Sequence, residues 1–162
     1  MTTQGNVKGL DELGNEVLWS SQGQQVMMQW EKQYMHVTVD ALVIHPTDRV
    51  LEIGFGLAYS ASHIQTYKPK SHTIIECDQE TLQRAKSFAD IHEGVQIVAG
   101  MWQQTLQTLD TFDCVFFDDY PLPELLTESV DVSMDRSCSP GGTSFWTLRC
   151  VIALLERGSL DI

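Results

Sequence analysis

Hydrophobic positions recur along this chain in two rhythms. From Gln24 to about Val43 the residues Val26, Trp30, Tyr34, Val37 and Ala41 return at steps of three and four. That spacing predicts a helix with those residues as its buried stripe. Glu31 and Met35 lie four apart on an adjacent stripe, so both point the same way at the edge of that core. His45-Pro46-Thr47-Asp48 breaks the helix.

Beyond the break the rhythm alternates. Arg49 to Ile53 reads as a buried strand ending in Gly54-Phe55-Gly56, and Leu57 to Thr66 as a helix. Ser71 to Cys77 predicts a second strand, and Asp78 a helix N-cap for Gln79 to about Ala89, with Leu82, Ala85 and Ala89 on one face. Val95 to Val98 is a short third strand, Thr105 to Leu109 a weak helical segment, and Phe112 to Phe117 a strongly apolar fourth strand. Thr143 to Trp146 reads as a fifth strand and Leu148 to Leu155 as a helix. Strands separated by helices imply an α/β fold, a doubly wound and mostly parallel sheet with helices on both faces. Residues 1–22, rich in Gly, Gln, Asn and Ser, read as a flexible N-terminal arm, and 23–162 as a single domain.

Composition narrows the partners. The net charge of −12 argues against nucleic acid, because neutralising phosphates needs clustered Lys and Arg, and no basic stripe is present. No apolar run approaches the ~18 residues of a membrane span, and the polar N-terminus is no signal peptide. Cys77, Cys114, Cys138 and Cys150 show neither a CxxC pair nor metal-type spacing, so no metal is expected and the thiols read as reduced, in a cytoplasmic protein.

The chemistry concentrates after the first strand. Gly54 and Gly56 lie where a doubly wound fold binds its nucleotide, with Glu76 ending the next strand at the place of a ribose-binding carboxylate. A dinucleotide fingerprint wants Gly or Ala at Tyr59, where Tyr fits poorly against a pyrophosphate. Gly54-x-Gly56-x-Ala58, preceded by the acidic Glu52, resembles instead the first motif of class I methyltransferases, which implies S-adenosylmethionine as cofactor.

Four further segments resemble one family. Val26-Met27-Met28-Gln29-Trp30-Glu31-Lys32-Gln33-Tyr34-Met35-His36 is similar to the "VMxxWExxYMH" helix of guanidinoacetate N-methyltransferases. Ile74-Ile75-Glu76-Cys77 is similar to their "IIEC", Gly100-Met101-Trp102 to their "GxW", and Phe117-Asp118-Asp119-Tyr120-Pro121-Leu122 to their "YDTYPL". Arginine methyltransferases that modify the internal guanidino nitrogen share several of these segments. The resemblance implies a Rossmann-like domain in which Glu31 and Asp118 bind a guanidino group, Asp118 takes its proton, and Tyr120 helps to bind the substrate. It also implies cofactor contacts from Met35, Met101, Trp102 and, from the arm, Trp19. Chemistry gives these carboxylates a reason: a guanidinium, with a pKa above ~12, sheds a proton as its nitrogen attacks a sulfonium methyl, and carboxylates hold planar N–H groups in pairs.

The resemblance weakens after about residue 123. Pro140-Gly141-Gly142 lacks the Lys of the family's "KPGG" turn, and the short polar run 127–139 stands where the family has a long apolar helix. The expectation is a truncated or divergent member lacking the last strands, with uncovered apolar residues buried in a homodimer. The expected reaction is methyl transfer to guanidinoacetate, giving creatine. The alternatives are arginine, free or in a protein, and a non-catalytic binding module on the cofactor fold.

Overall fold

The computed structural model of the chain describes residues 5–118 and 149–152, so Asp119, Tyr120, the Pro140-Gly141-Gly142 turn and the segment 143–146 lie outside the described residues. Elements run in the order β1 (Val7–Leu10), β2 (Glu16–Trp19), β3 (Gln25–Met28), α1 (Glu31–Asp40), β4 (Arg49–Ile53), α2 (Tyr59–Thr66) and β5 (Ser71–Glu76). Then come α3 (Gln79–Ile91), β6 (Val95–Ala99), α4 (Trp102–Thr105) with a 3-10 turn at Leu106–Thr108, β7 (Cys114–Phe117) and β8 (Arg149–Ile152). The main sheet has the order β6-β5-β4-β7-β8, and all its strand pairs are parallel. This is the doubly wound α/β fold expected from the alternation. Among the described residues no helix is long and apolar enough to cross a membrane.

Parallel strands bury both faces, and two sets of contacts cover them. On one face Val50, Cys114 and Phe116 join Met35, Leu42 and Ile64 in a core shared with α1 and α2. Beside it Ile74 packs with Ala61 of α2 and Ala85 of α3. On the other face Leu51, Ile53 and Ile75 pack against Trp102, Leu109 and Phe117. The carboxylate of Asp78 accepts from the backbone N–H of Thr81 at 2.9 Å, the N-cap expected for α3.

Three local readings are corrected. Residues 7–19 are no loose arm: β1, β2 and β3 form an antiparallel sheet that buries Val17, Leu18 and Met27. The polar, Gly-bearing segments between them are hairpin turns, which share their composition with unstructured chain. Second, helix α1 begins at Glu31 and not at Gln24, because residues 25–28 pair with β2. The stripe expected to be buried faces outward, with Trp30 67%, Tyr34 38% and Val37 58% exposed. The adjacent one, Glu31, Met35, Thr38, Val39 and Leu42, is buried. Periodicity fixes the pitch of a helix but does not choose between neighbouring stripes, and here a buried glutamate disguised the inner one. Third, residues 149–152 are the fifth strand, parallel to β7, where a helix was expected.

Candidate functional site

The sheet reverses its order at β4, which has β5 on one side and β7 on the other. Ligands bind doubly wound folds at such a point, beyond the carboxyl ends of the strands. Gly54 to Ala58, the pair Cys77-Asp78, the pair Gly100-Met101 and Asp118 all lie at those ends.

In the loop after β4 every second residue turns left-handed: Gly54 has φ 87°, Gly56 φ 52° and Ala58 φ 65°. Backbone closes the first glycine position to side chains, and the flexible end of Met27 crowds the second. A methyl on Gly54 would stand 2.3 Å from the carbonyl oxygen of Asp118, and one on Gly56 would stand 2.7 Å from Cε and 2.9 Å from Sδ of Met27. The Met27 sulfur also accepts the N–H of Leu57 at 3.3 Å. Strand β3 thus seats a thioether in the loop, and the end of β7 presses on its base.

Carboxylates fasten the surroundings. Glu76 Oε2 accepts from the N–H of Phe55 at 3.0 Å, and Oε1 accepts from Cys77 and Asp78 at 2.8 Å each. Burial pushes this carboxyl above its ordinary range, while the N–H groups of Asp78, Phe55 and Cys77 pull the other way. Arg84 of α3 donates to the carbonyl of Gly56 at 3.0 Å. Asp78 Oδ2 accepts from Asn6 at 2.9 Å, tying the chain before β1 to the cap of α3. Tyr59, first in α2, donates to Glu16 of β2 at 3.0 Å, and its burial together with that carboxylate raises the phenol far above its ordinary 10.

Glu31 and Asp118 are each tied to this loop, the first through β3 and the second through its own backbone. Glu31, 2% exposed, opens α1, and its Oε1 accepts from Met28 at 2.9 Å, one residue beyond the Met27 that seats in the loop. Its charge contributes to the raised pKa of Tyr59, so it lies within electrostatic reach of the head of α2. Asp118 donates its N–H to Ile53 at 3.1 Å, and its carbonyl lies over Gly54.

The other expected contacts divide. Half-buried Met101 and Trp102 follow β6 beside Glu76, whose carbonyl accepts from Gly100 at 2.9 Å, and Trp102 meets Phe117 edge to face at 5.2 Å. Glu52 lies beneath the loop, fully enclosed, with its oxygens on Ser60 and His72. Met35 is fully buried in the core beneath α1. Trp19 lies on the antiparallel sheet, its ring 4.0 Å from where a methyl on Gly9 would be. Met27, Arg84, Tyr59 and His72 were not singled out as site residues. Met27 had a signal in its motif segment, whereas the other three lie on helix or strand positions that look ordinary until the fold brings them together.

The family model for guanidinoacetate N-methyltransferase matches residues 14–137. The chain belongs to the guanidinoacetate N-methyltransferase family. A protein arginine N-methyltransferase 2 from Yarrowia lipolytica is 31% identical over 116 residues, which are 65% of this chain and 24% of that protein. The protein of the same name from Saccharomyces cerevisiae is 35% identical over 98 residues, 57% of this chain and 24% of that protein. The chain spans about a quarter of the length of the curated relatives it matches. Among solved structures, spermidine synthase from Thermotoga maritima aligns with a TM-score of 0.49 at 15% identity, over 68% of this chain and 47% of that one. A methyltransferase from Podospora anserina with bound SAH aligns with a TM-score of 0.44 at 22% identity, over 56% and 41%.

S-adenosylmethionine is the cofactor of this guanidinoacetate N-methyltransferase family member. The site fits it. A bare, left-handed backbone loop ends β4, a carboxylate ends β5, and a Met-Trp wall follows β6.

Proposed function

We propose that this chain is the catalytic core of an N-methyltransferase acting on a guanidino group, with guanidinoacetate as acceptor and creatine as product. The reading is supported by the buried Glu31 at the head of α1, bonded to the residue after Met27, and by Asp118 at the end of β7, whose carbonyl lies over Gly54. Bound S-adenosylmethionine supplies an electrophilic methyl on a sulfonium. Glu31 docks the planar guanidino N–H groups, held ready by its place in the first turn of α1, where the helix dipole favours an anion. Asp118 would take the proton that the attacking nitrogen releases, while Glu31 would hold that nitrogen in place for attack. Glu76 would hold the ribose of the cofactor, and Met101 with Trp102 would pack on its adenine or methionine portion.

Arginine is the second reading, favoured by the likeness to the fungal protein arginine N-methyltransferases 2. The test incubates the full chain with S-adenosylmethionine and, separately, guanidinoacetate, free arginine or an arginine-containing peptide, and weighs the products by mass spectrometry. A gain of one methyl on guanidinoacetate alone supports the first reading, and a gain on arginine alone replaces it with the second. Tight cofactor binding without transfer to any guanidino compound rejects both in favour of a non-catalytic binding module.

A further inference from the structure

Beneath the glycine loop lies a buried polar relay to which the methyl transfer above assigns no task. Glu52 and His72 have side chains 0% exposed, and His72 Nε2 donates to Glu52 Oε2 at 2.7 Å. The other Glu52 oxygen accepts from the hydroxyl of Ser60, itself 2% exposed. On the far side of the imidazole, the Gln65 amide donates to Nδ1 at 2.9 Å. A carboxylate only accepts, so the proton of His72 sits on Nε2, leaving Nδ1 to receive the amide.

The positions of these four residues in the fold explain what the relay holds. Glu52 precedes the glycine loop on β4 and Ser60 follows it as the second residue of α2. Their hydrogen bond therefore closes the base of the loop across eight positions. Gln65 lies near the other end of α2, and His72 stands on the neighbouring strand β5. One carboxylate thus sets the width of the loop, and one imidazole sets the orientation of that carboxylate. Burying such a pair is a poor source of stability compared with apolar residues of similar volume. What it supplies is geometry: a carboxylate held at both oxygens cannot change rotamer.

We propose that His72 is a positioning residue for the cofactor loop, acting through Glu52 and Ser60 without touching the cofactor. The inference rests on the assignment of that loop to S-adenosylmethionine. It extends to a ligand loop what is known of outer-shell partners of ligating groups, whose loss weakens binding about 10–100-fold.

The experiment compares the parent chain with His72→Phe, His72→Gln and Ser60→Ala. Phenylalanine fills the volume and removes both nitrogens, whereas glutamine keeps a donor for Glu52. Two quantities are read: the affinity for S-adenosylhomocysteine by calorimetry, and hydrogen exchange of the free protein over residues 54–62 against residues 95–99 of β6. His72→Phe and Ser60→Ala are each expected to weaken binding about tenfold and to speed exchange of 54–62 about tenfold, leaving 95–99 unchanged. His72→Gln is expected to stay within about threefold of the parent in both. A His72→Phe protein with a lower urea midpoint but parental affinity and parental loop exchange would overturn the proposal, because a merely structural role has that signature. If His72→Phe does not fold, Ser60→Ala decides alone, since it cuts the same relay by removing one hydroxyl: parental values then refute. A parent chain that binds no cofactor counts against the cofactor assignment, while the exchange measurement in the free protein still decides the role of His72.

Discussion

Gly54→Ala separates the two reasons a glycine occupies the cofactor loop. At φ 87° any other residue is strained, at a cost of about 1–2 kcal/mol. The new methyl would also stand 2.3 Å from the Asp118 carbonyl oxygen and 3.4 Å from its carbon, and neither belongs to a side chain that can swing away. Forcing such an overlap apart costs about 1–3 kcal/mol more. Alanine gives back about 0.4–1 kcal/mol by restricting the unfolded chain. The net expectation is a loss of about 1–4.6 kcal/mol, centred at about 3 kcal/mol and read by urea denaturation, or a fall in Tm of about 2–18 °C for a chain of this length. Gly94→Ala is the matched control. Its φ is 80°, yet the nearest atom to its new methyl, the Lys70 carbonyl oxygen, lies at 3.6 Å, an ordinary contact. It keeps the strain without the collision and is expected to cost about 1 kcal/mol or less. Because relief at position 54 must move the end of β7, Gly54→Ala is also expected to displace Asp118 and lower methyl transfer about 100-fold in the protein that remains folded. Equal stability losses in the two variants, with transfer intact in Gly54→Ala, would refute the argument from close approach.

Other outcomes follow from single groups. Asp118→Asn is expected to lower kcat about 10²–10⁴-fold with the affinity for S-adenosylhomocysteine within about threefold of the parent, which stopped-flow or calorimetric titration checks beside turnover. Glu31→Gln, by weakening a charge-assisted dock, is expected to raise the KM of the acceptor about tenfold or more with a smaller change in kcat; a pure kcat effect would move proton acceptance to Glu31. Ala58→Gly removes a left-handed strain at φ 65° and is expected to stabilise the chain by about 0.5–1 kcal/mol, whereas a loss in the urea midpoint would show that Ala58 is not strained. Glu76 has a folded-state pKa raised above its ordinary 4.5, with burial as the main cause, so the folded state binds the proton more tightly than the unfolded one. Its contribution to stability is therefore greatest in acid and falls as pH rises from about 4.5 through the folded value. Urea midpoints of the parent minus those of Glu76→Gln are expected to decline across that window, and a rising difference would contradict the sign.

The four strands β4 to β7 and the cofactor loop could be read from the sequence because each rests on local chemistry, whereas β1 to β3 and β8 could not. Apolar runs such as Val50-Leu51-Glu52-Ile53 and Ile74-Ile75 suit a sheet covered on both faces, Asp78 caps its own helix, and Gly54, Gly56 and Ala58 mark three left-handed residues in a row of five. Glu31, Glu76 and Asp118 could be singled out as candidates for a related reason: each sits within a short motif or at the end of a strand, where position along the chain already bears on position in the fold. Long-range packing decided the rest. Trp30, Tyr34 and Val37 keep helical spacing yet face outward, because the core that α1 shares with α2, the main sheet and β3 lies on its other side and buries Glu31 and Met35 instead. The hairpins of β1 to β3 bring Met27 into the glycine loop from 30 residues away, and the parallel register of β4 with β5 sets His72 against Glu52. Hydropathy records what each residue prefers to touch. Which partner it meets depends on contacts made across the chain, and only the folded sheet supplies them.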